Sequence, residues 1–279
     1  MAGNKETTEE DNLKKEEFAS GMSDADLLIQ IDAWERESET VYDVLKKIWI
    51  DNLNYYYGLQ TDVQLIRGKQ SRAVENRIWM AVETMIPIVT SRLPDIVVQS
   101  LNPDEQSQMD AQDLQDVLGF HMERLGMQEK AERFVRDIVI KRYGVMKMPW
   151  NKSEDDVDLK VIDPRRIRIP KYGKSLEECA FLIEDLELSY DQAETFFGEE
   201  MAKKLKEQVQ GKDDDEKKRK KTFAVKEVWT NTYVAWRSGS LLLKSQKNPY
   251  FDFNDSSKNF FDTPRKPYSL KSIFEQPAW

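Results

Sequence analysis

The residues from Tyr143 to Pro170 constrain the fold more than any other stretch of this chain. Upstream of Tyr143, apolar residues recur at intervals of three and four, the spacing of helices that pack by one face. Inside the stretch the interval drops to two. Val157, Leu159 and Val161 alternate with polar neighbours, as in a half-buried strand. Val145 to Trp150 predicts the strand before it, with a polar turn over 151–156 between them. Asp163-Pro164 interrupts the run, because proline fixes φ and has no N–H for a ladder; Ile167 and Ile169 resume it. Tyr143-Gly144 predicts the close of the last helix, with the glycine in the left-handed C′ position. The expected class is therefore α+β: a helical N-terminal unit, then a mixed, mostly antiparallel sheet with one covering helix.

Taken in order, residues 1–22 are polar and charged and predict a disordered tail. Ser23 is the expected N-cap of a first helix, marked by Leu27, Ile31, Trp34, Val41, Leu45 and Ile48 and ending at Gly58. Its length leaves room for a break near Ser38–Thr40. Gly68 to Ser71 predict a turn. Val74, Ile78, Val82, Met85 and Val89 mark a second helix, which Pro87 should kink or split and Pro94 should end. Ile96 to Gln99 read as a short extended piece. Leu114, Leu118, His121 and Leu125 stripe a third helix, and Ala131, Phe134, Val135 and Ile138 a fourth.

Beyond the central stretch, Ala180 to Leu188 predict a strand, and Ser189 with Gln192 a capping box. Phe196, Phe197 and Met201 give the helix that follows an apolar face. Residues 209–222, with consecutive acids and then a basic run, predict a charged linker. Strands return at Phe223, with a hairpin turn over 237–240, and the last residues, from Lys266, are apolar and extended. The expected division is 23–143 for the helical part and 144–279 for the sheet part.

Composition narrows the function more than it names it. One Cys, Cys179, allows no internal disulfide, and 33% charged residues with a net charge of −9 disfavour non-specific nucleic-acid binding, which runs on Lys and Arg. The N-terminus has no apolar signal region, and no run approaches a membrane span; a soluble intracellular product is expected. One His and one Cys exclude zinc spacing, and the phosphate-cradling glycine motif and the nucleophile elbow are both absent. His121 reads as a satisfied core histidine and Cys179 as a small apolar residue.

Asp155, Asp156 and Asp158, and Asp213, Asp214 and Asp215, lack the glycine and distal glutamate of a calcium loop and read as solvated turns. They leave a metal-dependent enzyme as a remote third reading. The basic run Lys217 to Lys221 is offset by its acidic neighbours. The tryptophans and Tyr55 to Tyr57 read as core rather than a base-stacking platform. Arg165, Arg166 and Arg168 are the candidate contact residues. On a strand, Arg166 and Arg168 share a face, where two guanidinium forks suit a neighbouring subunit's carboxylates or a DNA phosphate. No catalytic, cofactor or metal residues emerge.

A series of weak motifs in a fixed order completes the reading: Trp49 with Tyr57-Gly58, Asn76 and Met85; Tyr143-Gly144, Trp150-Asn151 and Asp163-Pro164-Arg165; Val228-Trp229-Thr230, Leu241 to Leu243, Asn248-Pro249-Tyr250, and Lys266-Pro267-Tyr268 before Ile273-Phe274. This order resembles the portal proteins of short-tailed bacteriophages and their prophage relatives. The resemblance implies a homo-oligomeric ring of about twelve subunits at one capsid vertex. Double-stranded DNA would pass through it without sequence-specific binding, and terminase, capsid and tail adaptor proteins would dock on it. It implies no catalytic residues, no cofactor and no membrane, and a place in the virion, with assembly in the host cytoplasm. A portal of this type continues into stem, clip and crown, so the resemblance covers the wing's N-terminal part and the chain is read as a truncated product or fragment. The alternative is a non-catalytic nucleic-acid or protein interaction module using Arg165, Arg166 and Arg168.

Overall fold

The computed structural model describes residues 22–59, 75–92, 96–151, 154–171, 176, 178–210, 222–255, 257, 259 and 261–272. Helix α1 spans Asp24–Tyr56 without interruption. Ser23 caps it: its hydroxyl accepts from the Asp26 amide at 3.3 Å and donates to the Asp26 carboxylate at 2.7 Å. The room its length leaves for a break near Ser38–Thr40 is not used. Both hydroxyls bond back within the helix, Ser38 to the Glu35 carbonyl and Thr40 to that of Glu37, which satisfies them without opening a turn. Helix α2 is Arg77–Thr90, one element through Pro87, whose missing N–H takes the helical donor from a single carbonyl, that of Glu83. Helices α3 (Glu105–Arg124) and α4 (Met127–Lys141) follow, separated by Gly126 at φ 60°.

The predicted strands form, in a finer division. β1 is Tyr143–Lys147, β2 Trp150–Asn151, β3 Asp156–Val157 and β4 Lys160–Ile162; β1 pairs with β4 and β2 with β3, both antiparallel. Pro164–Arg166 is a 3-10 turn, β5 is Ile167–Arg168 and β6 Phe181–Ser189. The single covering helix is two pieces, α5 (Tyr190–Phe197) and α6 (Glu199–Gln210), divided at Gly198 with φ 87°. The capping box forms in both directions between Ser189 and Gln192. Strands β7 (Thr222–Thr230), β8 (Tyr233–Ser238), β9 (Leu241–Lys247) and β10 (Tyr268–Ser272) complete the order, with Gly239 at φ 55° in the expected turn. The expected tail, the turn at Gly68–Ser71, Val74, Pro94, most of the linker with Asp213 to Asp215 and Lys217 to Lys221, and Ile273-Phe274 lie outside the described residues.

Element types follow one another along the chain, but the two compact units interleave. One unit joins residues 22–44 to 165–267, and the other joins 45–164 to 268–272. In the first, the antiparallel sheet β5-β6-β7-β8-β9 is covered on both faces. Leu27, Ile31 and Trp34 of α1 meet Phe181, Ile183, Val228, Tyr233 and Ala235 on one face, with Trp34 stacked 5.0 Å from Phe181. On the other, Ala193, Ala202 and Leu205 meet Phe223, Val225 and Leu243. Phe197 packs there, but Phe196, its neighbour in α5 and so on a different side of the helix, is 65% exposed.

In the second unit, Tyr56, Val82, Ile86 and Ile140 form the core, and β1 is the middle strand of the order β10-β1-β4. The helix before β1 ends two residues earlier than expected. Arg142, not Gly144, takes the left-handed conformation, at φ 71°. Gly144 is instead the second residue of the strand, where a Cβ would lie 2.6 Å from the Phe134 ring and 2.8 Å from Ile138. Glycine is required there for close approach of α4 to the sheet, not for helix ending.

Candidate interaction surfaces

The arginine segment lies in the first unit, and its geometry differs from the expected strand face. Arg165 and Arg166 sit in the 3-10 turn, so the alternation that placed Arg166 beside Arg168 does not apply. Proline at 164 sets the turn and keeps these residues from the ladder. Arg168 is committed internally. Its Nε and Nη2 donate to Asp185 Oδ2 at 3.2 and 3.1 Å, and its guanidinium lies 4.8 Å over the Tyr42 ring. The Tyr42 hydroxyl in turn donates to the Arg165 carbonyl. Both side chains at Arg165 and Arg166 are exposed, so Arg168 holds the segment while its neighbours face solvent.

The strongest charged network in this unit was not legible in the sequence. Strand register places Lys226 directly opposite Arg237, on the face that α1 covers. Two like charges in that position repel. Glu35 sits between them: Lys226 Nζ is 2.5 Å from Oε2 and Arg237 Nη2 is 3.1 Å from Oε1, while Arg237 Nη1 meets Asp32 at 2.5 Å. Arg237 Nε is buried with no hydrogen-bond partner, so the network is held by its carboxylates alone. The available signal was Asp32 and Glu35 three residues apart on α1, uninformative until the register is known.

Residues of the later motifs converge at one end of the same sheet. Trp229 stacks on Tyr250 with centroids 5.7 Å apart. Asn248, 1% exposed, donates to the carbonyls of Asn231 and Arg265 and accepts from the Tyr250 amide. Lys266, 7% exposed, donates to Asn231 Oδ1 and to the Cys179 carbonyl, both at 2.7 Å. Burial pulls the Lys266 ammonium below its ordinary pKa and pushes the Cys179 thiol above its own. Cys179 is buried, as a small apolar residue should be.

In the second unit, Asn76 caps α2 by accepting from the Trp79 amide and donates to the Tyr56 carbonyl at 2.6 Å. Arg136 grips Glu83 with Nε and Nη2 at 3.2 and 3.1 Å, and the Tyr56 hydroxyl donates to the same carboxylate. Arg136 first, then Tyr56, hold Glu83 below the usual carboxylate range, while burial first and then Glu83 raise the Tyr56 phenol. Lys141 bridges Asp137 at 2.8 Å and Asp163 at 3.1 Å, and burial raises Asp137 despite that lysine. Trp49 Nε1 donates to the Lys141 carbonyl at 2.6 Å.

His121 is not a core residue. It is half-exposed, with Nδ1 3.7 Å from Asp156 Oδ1, because α3 buries none of its residues. Arg124 makes the firmer contact, reaching Asp156 at 2.7 Å and the Val157 carbonyl at 2.8 Å. Asp156 and Asp158 thus face Arg124 and Lys160, and among the described residues no group of three or more His, Cys, Asp or Glu side chains converges on a metal position. Of the run Tyr55 to Tyr57 only Tyr56 is core; Trp79 and Trp150 are also about half exposed, at 48% and 49%.

Exposed apolar surface is unevenly divided. Nineteen of the twenty-five large apolar side chains exposed among the described residues belong to the second unit. Among the described residues no helix is long and apolar enough to cross a membrane. No protein-family model matches the chain, and no curated protein matches it either.

Proposed function

We propose that this chain is the wing part of a portal-type subunit: a structural, non-catalytic member of a ring at a capsid vertex through which DNA is packaged and ejected. One observation carries the reading. Several residues of the ordered motif series make joints of the fold. Trp49 reaches the carbonyl of Lys141, whose ammonium pairs with Asp163. Asn76 ties Tyr56 to the start of α2, and Gly144 lets α4 onto β1. Trp229, Asn248, Tyr250 and Lys266, spread over almost forty residues, close one cluster. A motif order assembled by accident would not be expected to concentrate on joints.

The surplus of exposed apolar surface in the second unit supports a subunit that is covered by partners, since isolated proteins seldom leave large apolar patches open. The net charge of −9 suits a conduit that lets phosphate pass without trapping it. Terminase, capsid and tail adaptors are the proposed partners of the ring, and the virion its proposed location.

The test is to express the whole reading frame that encodes this chain and record particle mass and shape by negative-stain microscopy. Rings of about twelve subunits with a central hole are expected if the chain follows the oligomer logic of closed, head-to-tail interfaces. Monomers that bind DNA with a steep salt dependence, lost in Arg166→Ala, would replace this reading with an interaction module.

A further inference from the structure

Helix α3 sets five carboxylates, those of Glu105, Asp110, Asp113, Asp116 and Glu123, against one guanidinium, Arg124. That cation is committed: its Nη2 meets Asp156 at 2.7 Å and the Val157 carbonyl at 2.8 Å. Ala111, Gln115, Leu118 and Met122 are half-buried and mark the inner side of the helix, where Gln115 accepts from the Val98 amide. The outer side has a different pattern. At about 100° per residue, Met109, Asp113, Val117 and Phe120 fall within an arc of about 80°, with Asp116 bordering it on one side and Asp110 on the other. Met109, Val117 and Phe120 are 55%, 49% and 62% exposed, and the three aspartates are exposed as well.

These aspartates have no cation of their own. Asp110 and Asp116 accept from the side-chain amides of Gln106 and Gln112, one turn back, at 2.8 and 3.3 Å. Among the described residues no Lys or Arg pairs with either of them or with Asp113. A helix that buries none of its residues gains little from its own unit, since most helical stability in proteins comes from a packed face. Nucleic acid and an anionic membrane surface are repelled here. An uncharged protein surface would strip water from Asp113, in the middle of the stripe, and return nothing. A cationic surface returns a counter-charge to each aspartate and covers the apolar side chains between them. The stripe follows the helix for about three turns, roughly 16 Å, which suits a second helix lying alongside.

We infer that the outer face of α3 is the docking site for an amphipathic helix of another protein, one with Lys or Arg along both edges of its apolar stripe and one cation opposite Asp113. Asp110 and Asp116, at the rim, select the partner by charge and speed its encounter. Asp113, inside the stripe, sets the register, as a single polar position does in a coiled coil. The site needs one copy of this chain only, so it stands whether or not the chain forms a ring.

The test is fluorescence anisotropy of a labelled synthetic helix titrated with the full chain. The helix has leucine at positions a and d of each heptad and lysine at e and g; a second version carries glutamate for lysine. Wild type should bind the lysine helix saturably, less tightly as salt rises, and should not bind the glutamate helix. Asp110→Lys with Asp116→Lys should weaken the lysine helix about tenfold and create binding of the glutamate helix. Val117→Ser with Phe120→Ser should also weaken the lysine helix about tenfold, with circular dichroism unchanged. If that variant does not fold, the charge reversal decides alone, since it removes no apolar contact. Glu199→Lys with Glu200→Lys, on α6, should change nothing. Absence of saturable binding overturns the inference, as does equal binding of the two helices, or binding that follows the α6 variant instead of those on α3. A light-scattering mass above monomer that Phe120→Ser lowers would overturn it too, because a second copy of this chain would then cover the face.

Discussion

Gly144 has no room for a side chain, and its replacement measures how closely α4 must approach the sheet. A Cβ 2.6 Å from the Phe134 ring cannot be absorbed without moving α4 from β1. Gly144→Ala should therefore cost about 2 kcal/mol, the scale of core overpacking, read as a lower denaturant midpoint at unchanged slope. Tyr233 gives a pH signature at the same scale. Burial lifts its phenol from 10.0 to about 12, and its hydroxyl donates to Gln30. A raised folded-state value means the neutral form is favoured in the fold. Its contribution is complete below pH 10 and lost as pH rises through about 12. Alkaline titration of stability should thus fall between those limits in wild type, and less steeply in Tyr233→Phe.

At the scale of the element, α2 depends on its cap and α1 on the carboxylates it brings to the sheet. Asn76→Ala removes the acceptor for the Trp79 amide and the donor to Tyr56, and should cost 1–2 kcal/mol, about the upper range for a cap. Glu35→Ala leaves Lys226 and Arg237 opposed with no shared counter-charge, in a network where Arg237 is 8% exposed. A loss of about 2 kcal/mol is expected, because Lys226 loses its carboxylate while Arg237 keeps Asp32. Lys203→Ala breaks an exposed pair with Glu199 and should leave the melting temperature unchanged. Comparing the two by thermal unfolding separates buried from surface ion pairing on one fold.

For the whole molecule, the expectation is a protein that assembles but holds nucleic acid weakly. The chain is acidic by nine charges, and Arg168, the best-placed arginine of its segment, is spent on Asp185 and Tyr42. Affinity for a random duplex at physiological salt should be no tighter than about 10⁻⁴ M, the weak end of non-specific binding. A tighter, salt-dependent binding in a fluorescence titration would contradict a loose conduit and favour direct phosphate contacts. Assembly, in contrast, should strengthen with salt, since it removes apolar surface from a self-repelling acidic chain.

The sequence by itself determined the class and most of the elements. Periods of three-to-four and of two separate the helices from the strands, Ser23, Ser189 and Gln192 mark helix starts through local hydrogen bonds, and Asp163-Pro164 interrupts the strand run at the residues expected. Such signals are short-range, and a single sequence carries them in full. It did not reveal that Arg142 rather than Gly144 ends α4, that Arg166 and Arg168 do not share a strand face, that His121 lies outside the core, or that Lys226 faces Arg237. Each of these depends on register or on what packs against an element, and those are set by partners distant in the chain. The interleaving of the two units has the same origin: residues 22–44 take their core from strands more than a hundred positions away. Local free energy fixes where a helix starts, while burial shared between remote segments decides which side of it is left open.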